Sequence, residues 1–508
     1  MASFPIENIP FEDKQYAEWV SPDENVQALA LHLRLAVRAG YTALHITENA
    51  LEPSLETVLK AECEDAIDVE TLQALKKQEM LALSYENLPF QRIGSYLQLS
   101  YIATAEMRFV EQVQRLSQEQ PAVLDEYVDP QLNHLQLEAV RLALGQQAVI
   151  IAGGPGTGKT YTVGRFLQAY ASTQDERFVR VVLTAPTGKA AVQLEKSLLH
   201  AFQGAIPFSY DVKTIHNLVR KGVLIDAHVL IVDECSMIDT HMFAELLRLV
   251  PRGTKLLLVG DPDQLPPIGV GSPFAALVYA EHAPFPRVLL QSVKRTSEEA
   301  LSALATSLRE GDREFFFSLE SHREKEDGAL SWYPLTEEMV EKRMALGAVP
   351  LILTPQRFGL FGLNRLNEKA AALFDEVPLI VTKNDWTLKV TNGELGFKVQ
   401  RALFGQLRDY FKSGEKEIPL SLLPAYETAY ALSIHKSQGS EADRVLVLLP
   451  EGAELFGWKL LYTACTRAKK RLEIFASLNT LEKTFENRQE SYQTIQQKLA
   501  ESVKCSLS

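Results

Sequence analysis

The sequence predicts an α/β protein built on two parallel sheets. Short, continuous apolar runs alternate with helical stretches from about residue 130 to residue 476. Such runs are typical of parallel strands, because helices cover both faces of a parallel sheet. Eight runs over roughly 350 residues are too many for one compact sheet domain, which favours two α/β domains. The predicted strands are residues 148–153, 180–186, 228–234, 255–261, 350–355, 429–434, 444–450 and 471–476.

Three other regions differ from this pattern. Residues 1–115 carry apolar side chains at helical spacing, as in "NVQALALHLRLAVRAG", and predict a helical unit. Its many acidic residues fit either a docking domain or a solvated helical domain. Residues 378–425 alternate and contain Asn392-Gly393, a hairpin signal, so we expect a β-rich insertion in the second α/β domain. Residues 478–508 are predicted to form a polar C-terminal helix.

Composition limits the class of protein. The chain has 508 residues, 46% hydrophobic and 23% charged, which is typical of a globular protein. It has neither a membrane-length apolar run nor a signal-peptide pattern, and its four cysteines are far apart, so we expect a cytoplasmic protein without a zinc site. The net charge of −13 argues against a generally basic nucleic-acid coat. A locally basic groove, or docking on a basic partner, remains compatible with it.

The first motif predicts a nucleotide site. "GGPGTGKT" follows the strand "AVIIA" and matches the phosphate-binding pattern GxxxxGK[ST]. Its glycines allow backbone N–H groups to surround phosphate oxygens. We expect the Lys159 ammonium to bind the β- and γ-phosphates of ATP and the Thr160 hydroxyl to ligate Mg²⁺. The predicted nucleotide-binding residues are Gly153, Gly154, Pro155, Gly156, Thr157, Gly158, Lys159, Thr160 and Tyr161.

Polar residues at later strand ends would complete that site. In "HVLIVDECSM" we expect Asp233 to hold Mg²⁺, through water, and Glu234 to orient and deprotonate the attacking water. Gln264, in "GDPDQLPPIG", would hydrogen-bond the γ-phosphate of ATP or the water that attacks it. Taken alone, Gln264 would be interpreted as an ordinary turn residue. The Gln136 amide matches adenine N6 and N7, although an ordinary surface glutamine is the alternative.

Ten segments together, in this order, identify a family. They are "LQLEAV", "GGPGTGKT", "LTAPTGKAA", "TIHNLV", "VDECSM", "GDPDQLPPIG", "ILTPQRFGLFGLNRLN", "TNGELG", "AYALSIHKSQGSE" and "LLYTACTRAKK". From about residue 130 to 478 the chain resembles superfamily 1 helicases of the RecD type, the alpha subunit of exodeoxyribonuclease V. The resemblance covers residues 1–130 only loosely.

The resemblance implies an architecture. It implies two RecA-like P-loop motor domains, residues 116–290 and 291–477, with ATP in the cleft between them. It also implies that the insertion is a small β-barrel beside the DNA path, and that the protein moves 5′ to 3′ along single-stranded DNA. Partners would be single-stranded and duplex-end DNA, with RecB-like and RecC-like subunits of a heterotrimer that acts in double-strand break repair and recombination.

The resemblance also implies residue roles. Arg295 in "LLQSVKRT" and Arg467 in "YTACTRAKK" look like arginine fingers, although Arg295 alone would read as a surface residue. The "SIHKSQGSE" segment resembles a loop that faces both ATP and DNA, with Gln438 and Glu441 coupling the two. The predicted DNA contacts are Thr187, Lys189, Thr214, His216, Arg357, His435, Lys436, Ser437 and Gln438.

One departure from the family pattern concerns strand separation. RecD-type helicases usually carry a β-hairpin pin between "TIHNLV" and the acidic strand, but only "RKGVLIDA" lies there, too short for a two-stranded pin. This favours a partnered subunit over the alternative of a stand-alone helicase. A P-loop ATPase that remodels proteins is a further alternative. The presence of two motor domains, with Arg467 and the "HKSQG" loop, argues against it.

Overall fold

The structure of the protein is a computed structural model. The structure describes residues 11–20, 24–38, 41–46, 51–54, 58, 89–117, 127–173, 179–202, 206–291, 299–313, 323, 328–385, 387–403, 406–488 and 493–507. None of the helices in these ranges has the length and apolar character that a membrane span requires.

The N-terminal unit combines helices with a small sheet. Its helices α1–α3 and the four-stranded antiparallel sheet, in the order β2-β1-β4-β3, enclose buried leucines such as Leu33, Leu35 and Leu97. The sequence predicted helices alone here, because strands of two to four residues are too short to show an alternating pattern. The elements are α1 (Phe11–Val20), α2 (Glu24–Arg38), β1 (Leu44–Ile46), β2 (Leu51–Glu52), β3 (Phe90–Ile93), β4 (Tyr96–Leu99) and α3 (Ser100–Ser117).

A six-stranded parallel sheet forms the centre of the first α/β unit. Its order is β10-β5-β9-β8-β6-β7, and each neighbouring pair is parallel. Helices α4–α6 cover one face and α7–α9 the other, so alternate residues of β5 enter two different cores. The strands are β5 (Ala148–Gly153), β6 (Arg180–Ala185), β7 (Ser209–Thr214), β8 (Val229–Val232), β9 (Lys255–Gly260) and β10 (Arg287–Leu290). The helices are α4 (His134–Gly145), α5 (Lys159–Ser172), α6 (Gly188–Ala201), α7 (Ile215–Lys221), α8 (Thr240–Arg248) and α9 (Pro273–Tyr279).

A five-stranded parallel sheet forms the second α/β unit. Its order is β11-β20-β19-β12-β18, so the two-sheet α/β fold predicted from the apolar runs is confirmed. The strands are β11 (Leu330–Tyr333), β12 (Leu351–Thr354), β18 (Ala431–Ser433), β19 (Ala442–Leu449) and β20 (Ala468–Ala476). The helices are α10 (Glu299–Glu310), α11 (Glu337–Met344), α12 (Leu363–Leu373), α13 (Trp458–Cys465) and α14 (Leu478–Glu486).

The insertion in the second unit is an antiparallel sheet. Its five strands follow the order β16-β15-β14-β13-β17, and no pairing between the edge strands β16 and β17 is present in its described residues. It is therefore an open sheet here, and the expected barrel closure is not confirmed. The strands are β13 (Val377–Val381), β14 (Leu395–Leu403), β15 (Gln406–Ser413), β16 (Lys416–Pro419) and β17 (Tyr426–Thr428).

The C-terminal region forms two helices rather than one. Helix α14 packs on the second unit through Leu481 and Phe485. Helix α15 (Gln493–Leu507) returns to the first unit, where Ile495 and Leu499 share a core with Phe109 of α3. A buried polar cluster fastens it there: Lys498 Nζ lies 2.6 Å from Glu106 Oε2 and donates to Gln98 Oε1 at 3.1 Å.

The buried Lys498–Glu106 pair generates the first prediction. Replacing Lys498 by Met should lower the free energy of unfolding by about 3–5 kcal/mol, because the Glu106 charge would remain buried without its partner. Urea denaturation followed by circular dichroism measures this. The Lys498→Met, Glu106→Leu double variant should regain part of the loss, whereas Gln496→Met on the same helix should change little. Equal effects of Lys498→Met and Gln496→Met would contradict the assigned role.

Candidate nucleotide cleft

The phosphate-binding loop lies between β5 and α5. Gly156 and Gly158 have φ of 73° and 86°, a region that favours glycine, so the loop can turn its N–H groups toward one point. Lys159 Nζ donates to the carbonyl oxygens of Gly153 at 2.6 Å and Gly154 at 2.9 Å. The lysine is thus folded over the loop, and phosphate oxygens arriving there would replace these two carbonyl partners.

Two adjacent carboxylates follow β8 on the same edge of the sheet. Glu234 has a backbone φ of 52°, which is unusual for a residue other than glycine. Its N–H donates to Asp233 Oδ1 at 2.9 Å. Burial, together with the neighbouring Glu234 carboxylate, raises the pKa of Asp233 to about 7, although Lys159 opposes the shift. The two carboxylates therefore lie side by side at the phosphate loop, and their mutual repulsion opposes full ionisation of the pair.

The loop after β9 contributes Gln264. Its Nε2 donates to Asp261 Oδ2 at 3.1 Å, while its buried Oε1 has no hydrogen-bond partner among the described residues. A buried amide oxygen without a partner is unfavourable, and a water or ligand donor would satisfy it. Because Gln264 also lines the cleft, its carbonyl oxygen is available to a group bound there.

The second unit supplies Arg467 to this cleft. Arg467 is 4% exposed and is held by three hydrogen bonds, from Nε to Thr463 O at 3.0 Å, from one terminal nitrogen to Ser440 O at 3.4 Å and from the other to Thr466 Oγ1 at 3.1 Å. It follows α13 directly and lines the same cavity as Lys159. The other predicted arginine finger, Arg295, lies outside the described residues.

These residues surround one cavity of about 540 Å³. The first unit contributes the phosphate loop, the acidic pair and Gln264, and the second contributes the segment around Ser440 and Arg467. The insertion also lines it, which sequence reasoning did not predict. Its lining residues are Thr391, Glu394, Leu395, Ser413 and Lys416.

Gln136 and Tyr161 flank the phosphate loop. Gln136 is in the first turn of α4, where its Oε1 accepts from Asn133 N at 3.3 Å and its Nε2 donates to Thr157 O at 3.4 Å. The amide thus joins the helix cap to the loop. Tyr161 is partly exposed at the start of α5, and its hydroxyl lies 3.4 Å from Gln131 Oε1.

The predicted DNA-contact residues divide into three groups. His216, Arg357 and Lys436 are exposed. Thr187 and Thr214 serve as N-caps of α6 and α7. The remaining four face inward: Lys189 donates to Ser440 Oγ, Ser437 is fully buried with its hydroxyl on Ile434 O, Gln438 donates to Leu265 O, and burial lowers the pKa of His435.

A hydrogen-bonded seam joins the two α/β units beside the cleft, and sequence reasoning missed it. The Tyr462 hydroxyl donates to Asp261 Oδ2 at 3.0 Å, and Leu265 N donates to Thr463 Oγ1 at 2.8 Å. A Cβ placed on Gly154 would lie 2.9 Å from the Tyr462 hydroxyl, so the seam touches the phosphate loop. The available signal was the position of Tyr462 in α13, the helix that ends just before Arg467.

Comparison with known proteins assigns this arrangement to a family. Residues 131–330 match the family model described as an AAA domain, and residues 428–474 match the UvrD-like helicase C-terminal domain. The RecBCD enzyme subunit RecD of Mycolicibacterium smegmatis is 32% identical over 400 residues, which span 67% of this chain and 70% of that protein. The chain belongs to the RecD family of superfamily 1 DNA helicases.

One further relative and one solved structure are also similar to this chain. The ATP-dependent RecD2 DNA helicase of Deinococcus radiodurans is 32% identical over 380 residues, or 70% of this chain and 48% of that protein. The Pif1 helicase structure from Candida albicans has a TM-score of 0.41 at 19% identity, covering 74% of this chain and 99% of that one. A TM-score that low adds nothing to the assignment, which depends on the RecD relatives.

The cleft of this RecD-family chain generates the second prediction. Lys159→Ala should abolish ATP hydrolysis without unfolding the protein, because Lys159 would be the cation on the β- and γ-phosphates. Steady-state phosphate release, with circular dichroism as the folding check, measures this. Lys369→Ala, which removes a surface lysine paired with Glu337 and Glu341, is the control and should retain hydrolysis. Hydrolysis by folded Lys159→Ala would exclude this role.

Proposed function

We propose that this chain is an ATP-driven 5′ to 3′ DNA translocase and the RecD-like subunit of a RecBCD-type complex. Such a complex would act in double-strand break repair and recombination. The observation that carries the proposal is the cleft itself: Lys159 and the Asp233–Glu234 pair come from one sheet, and Arg467 from the other. A site split between two units can convert nucleotide turnover into relative movement of those units.

Hydrolysis follows from the roles of four side chains. When ATP enters, the Lys159 ammonium leaves the loop carbonyls and pairs with the β- and γ-phosphates. Glu234 accepts a proton from the water that attacks the γ-phosphorus, and the Gln264 carbonyl oxygen accepts a hydrogen bond from that water. The bond from the γ-phosphorus to the bridging oxygen breaks, which leaves ADP and phosphate. Arg467 stabilises the charge that develops on the γ-phosphoryl oxygens.

The donor set beside the phosphate loop fits Mg²⁺. The Thr160 hydroxyl and the Asp233 carboxylate line the same cavity, and oxygen donors of this kind suit that ion when phosphate oxygens and water complete its shell. The raised pKa of Asp233 marks a carboxylate whose charge the protein alone leaves incompletely balanced. When bound, Mg²⁺ would neutralise charge on the β- and γ-phosphates.

Closure of the cleft would couple this chemistry to movement. Arg467 reaches the γ-phosphate only when the second unit is close to the first, so hydrolysis requires the closed form. The Tyr462–Asp261 bond connects the helix preceding Arg467 to the loop that carries Gln264. DNA would lie along the exposed loops that carry His216, Arg357 and Lys436, with phosphate contacts that are independent of base sequence. The 5′ to 3′ direction is proposed from family membership.

The absence of a pin supports assignment to a partnered subunit. Residues 222–228, all described, contain no strand and connect α7 directly to β8. Val223 and Leu224 are 69% and 62% exposed on this connection. Two neighbouring exposed apolar side chains suit burial against another protein, and strand separation would then fall to a RecB-like or RecC-like subunit.

The shared site generates the third prediction. Single-stranded DNA should stimulate the ATPase, and Arg467→Ala should lower kcat by about 10³-fold while changing the KM for ATP far less, because the guanidinium acts mainly in the transition state. ATPase rates with and without DNA measure both effects. Arg365→Ala, on the surface of α12, is the control. A DNA-insensitive wild-type ATPase would favour a P-loop protein remodeller instead.

The missing pin generates the fourth prediction. The purified chain should hydrolyse ATP on single-stranded DNA but should not unwind a duplex until RecB-like and RecC-like subunits are added. A strand-displacement assay with a 5′-tailed duplex, run with and without those subunits, measures this. Efficient unwinding by the chain alone would instead identify a stand-alone helicase.

A further inference from the structure

Among the described residues of the insertion, residues 387–394, which we call the docking turn, lie against the first α/β unit together with the side chain of Asn384. A Cβ placed on Gly188, the first residue of α6, would lie 2.8 Å from both Cβ and Cγ2 of Thr391. Real Cβ atoms do not approach other atoms so closely, so this contact requires glycine at position 188. Thr391 is 4% exposed, so the contact is well packed.

Charged groups surround the same contact. Lys189 Nζ donates to Ser440 Oγ of the second unit and is close enough to Glu394 and Arg467 to interact electrostatically with both. Burial and the Arg467 charge lower the pKa of Lys189 to about 8, whereas Glu394 opposes the shift. Side chains of the first unit, the second unit and the insertion thus meet at one point on the cleft wall.

The docking turn is firmly built. Glu394 Oε2 accepts from Thr391 N at 3.2 Å, and Glu394 Oε1 lies 3.2 Å from Lys416 Nζ. Lys416 Nζ also donates to Lys389 O at 2.7 Å, and Gly393 N donates to Val381 O at the end of β13. These bonds tie the docking turn to β13 and β16 of the five-stranded sheet.

We propose that the docking turn transmits cleft closure to the insertion, with Thr391 and Glu394 as positioning residues. Binding of a triphosphate brings an anion between Lys159 and Arg467, and Lys189 and Glu394 lie on the wall of that same cavity. As the cleft closes, Gly188 and Lys189 move against the turn, and the insertion sheet shifts with it. DNA held against the insertion would then be gripped or released according to the nucleotide bound. This inference rests on the DNA-dependent ATPase activity proposed above.

The test introduces a steric clash with Gly188→Ala and relieves it with Thr391→Gly, both in the full chain. Partner subunits are added if DNA binding needs them. The Kd for labelled single-stranded oligothymidine is measured with and without a non-hydrolysable ATP analogue. In the wild type, the ratio of the two Kd values should fall in the roughly 5–150-fold range of ordinary coupling. Gly188→Ala, whose new methyl displaces Thr391, should bring that ratio close to one. Adding Thr391→Gly removes the clash and should restore most of the ratio.

The controls separate a transmitting role from a structural one. Thr391→Gly alone should keep the melting temperature within a few degrees of the wild type, and Gly164→Ala, at a packed helix position without contact to the insertion, should keep the Kd ratio. If Gly188→Ala fails to fold, Glu394→Gln tests the same contact, since it keeps the side-chain shape and removes the charge beside Lys189. It should reduce the Kd ratio while the melting temperature stays within a few degrees of the wild type.

Each outcome decides the proposal. A Kd ratio close to one in Gly188→Ala, together with a ratio near the wild-type value in the Gly188→Ala, Thr391→Gly double variant, would establish the docking turn as the transmitting element. An unchanged ratio in Gly188→Ala, or a ratio that Thr391→Gly fails to restore, overturns it. If Gly188→Ala does not fold, an unchanged ratio in Glu394→Gln overturns it. A wild-type ATPase that ignores DNA even when the partner subunits are present would refute the proposed function itself, which is a distinct result.

Discussion

The arrangement of this molecule depends on the seam between helix α13 and the loop after β9. At this seam a tyrosine hydroxyl meets a buried carboxylate, since Tyr462 donates to Asp261, and Leu265 of the first unit packs into the core of the second. These contacts hold the two sheets at the separation at which Arg467 and Lys159 line one cavity. Burial makes each hydrogen bond here expensive to break without replacement, so the two units have a defined relative position. Everything else in the cleft, including the insertion wall, is arranged around that position.

The inner strands of both parallel sheets were all predictable, whereas three of the four edge strands, β7, β10 and β11, were missed. The eight apolar runs all became strands, because a parallel strand covered on both sides needs apolar residues throughout. Strand β7, "SYDVKT", was missed because it lies at the edge of the sheet and alternates between exposed and partly buried positions. The short strands of the N-terminal unit were missed for a different reason: two to four residues cannot establish a period. The two C-terminal helices were read as one, since the sequence between them contains no strong stop signal.

The site was predictable where its chemistry is local in sequence. The phosphate loop and the acidic pair each follow a strand directly, so a motif of a few residues specifies their place. The contributions of Thr391, Glu394 and Lys416 to the cleft come from tertiary packing of an insertion, and no local pattern encodes that. Lys189 illustrates the same limit. Its motif suggested a DNA contact, which stays a prediction, and no local pattern indicated that its ammonium donates to Ser440 of the second unit.

The return of helix α15 to the first unit has a mechanical consequence. The chain passes from the first unit to the second between β10 and α10, and it passes back between α14 and α15. Both chain connections of the second unit therefore lead back to the first unit, and the far end of the second connection is anchored by the buried side chains of α15. Two anchored connections restrict relative movement of the two units more than a single connection would.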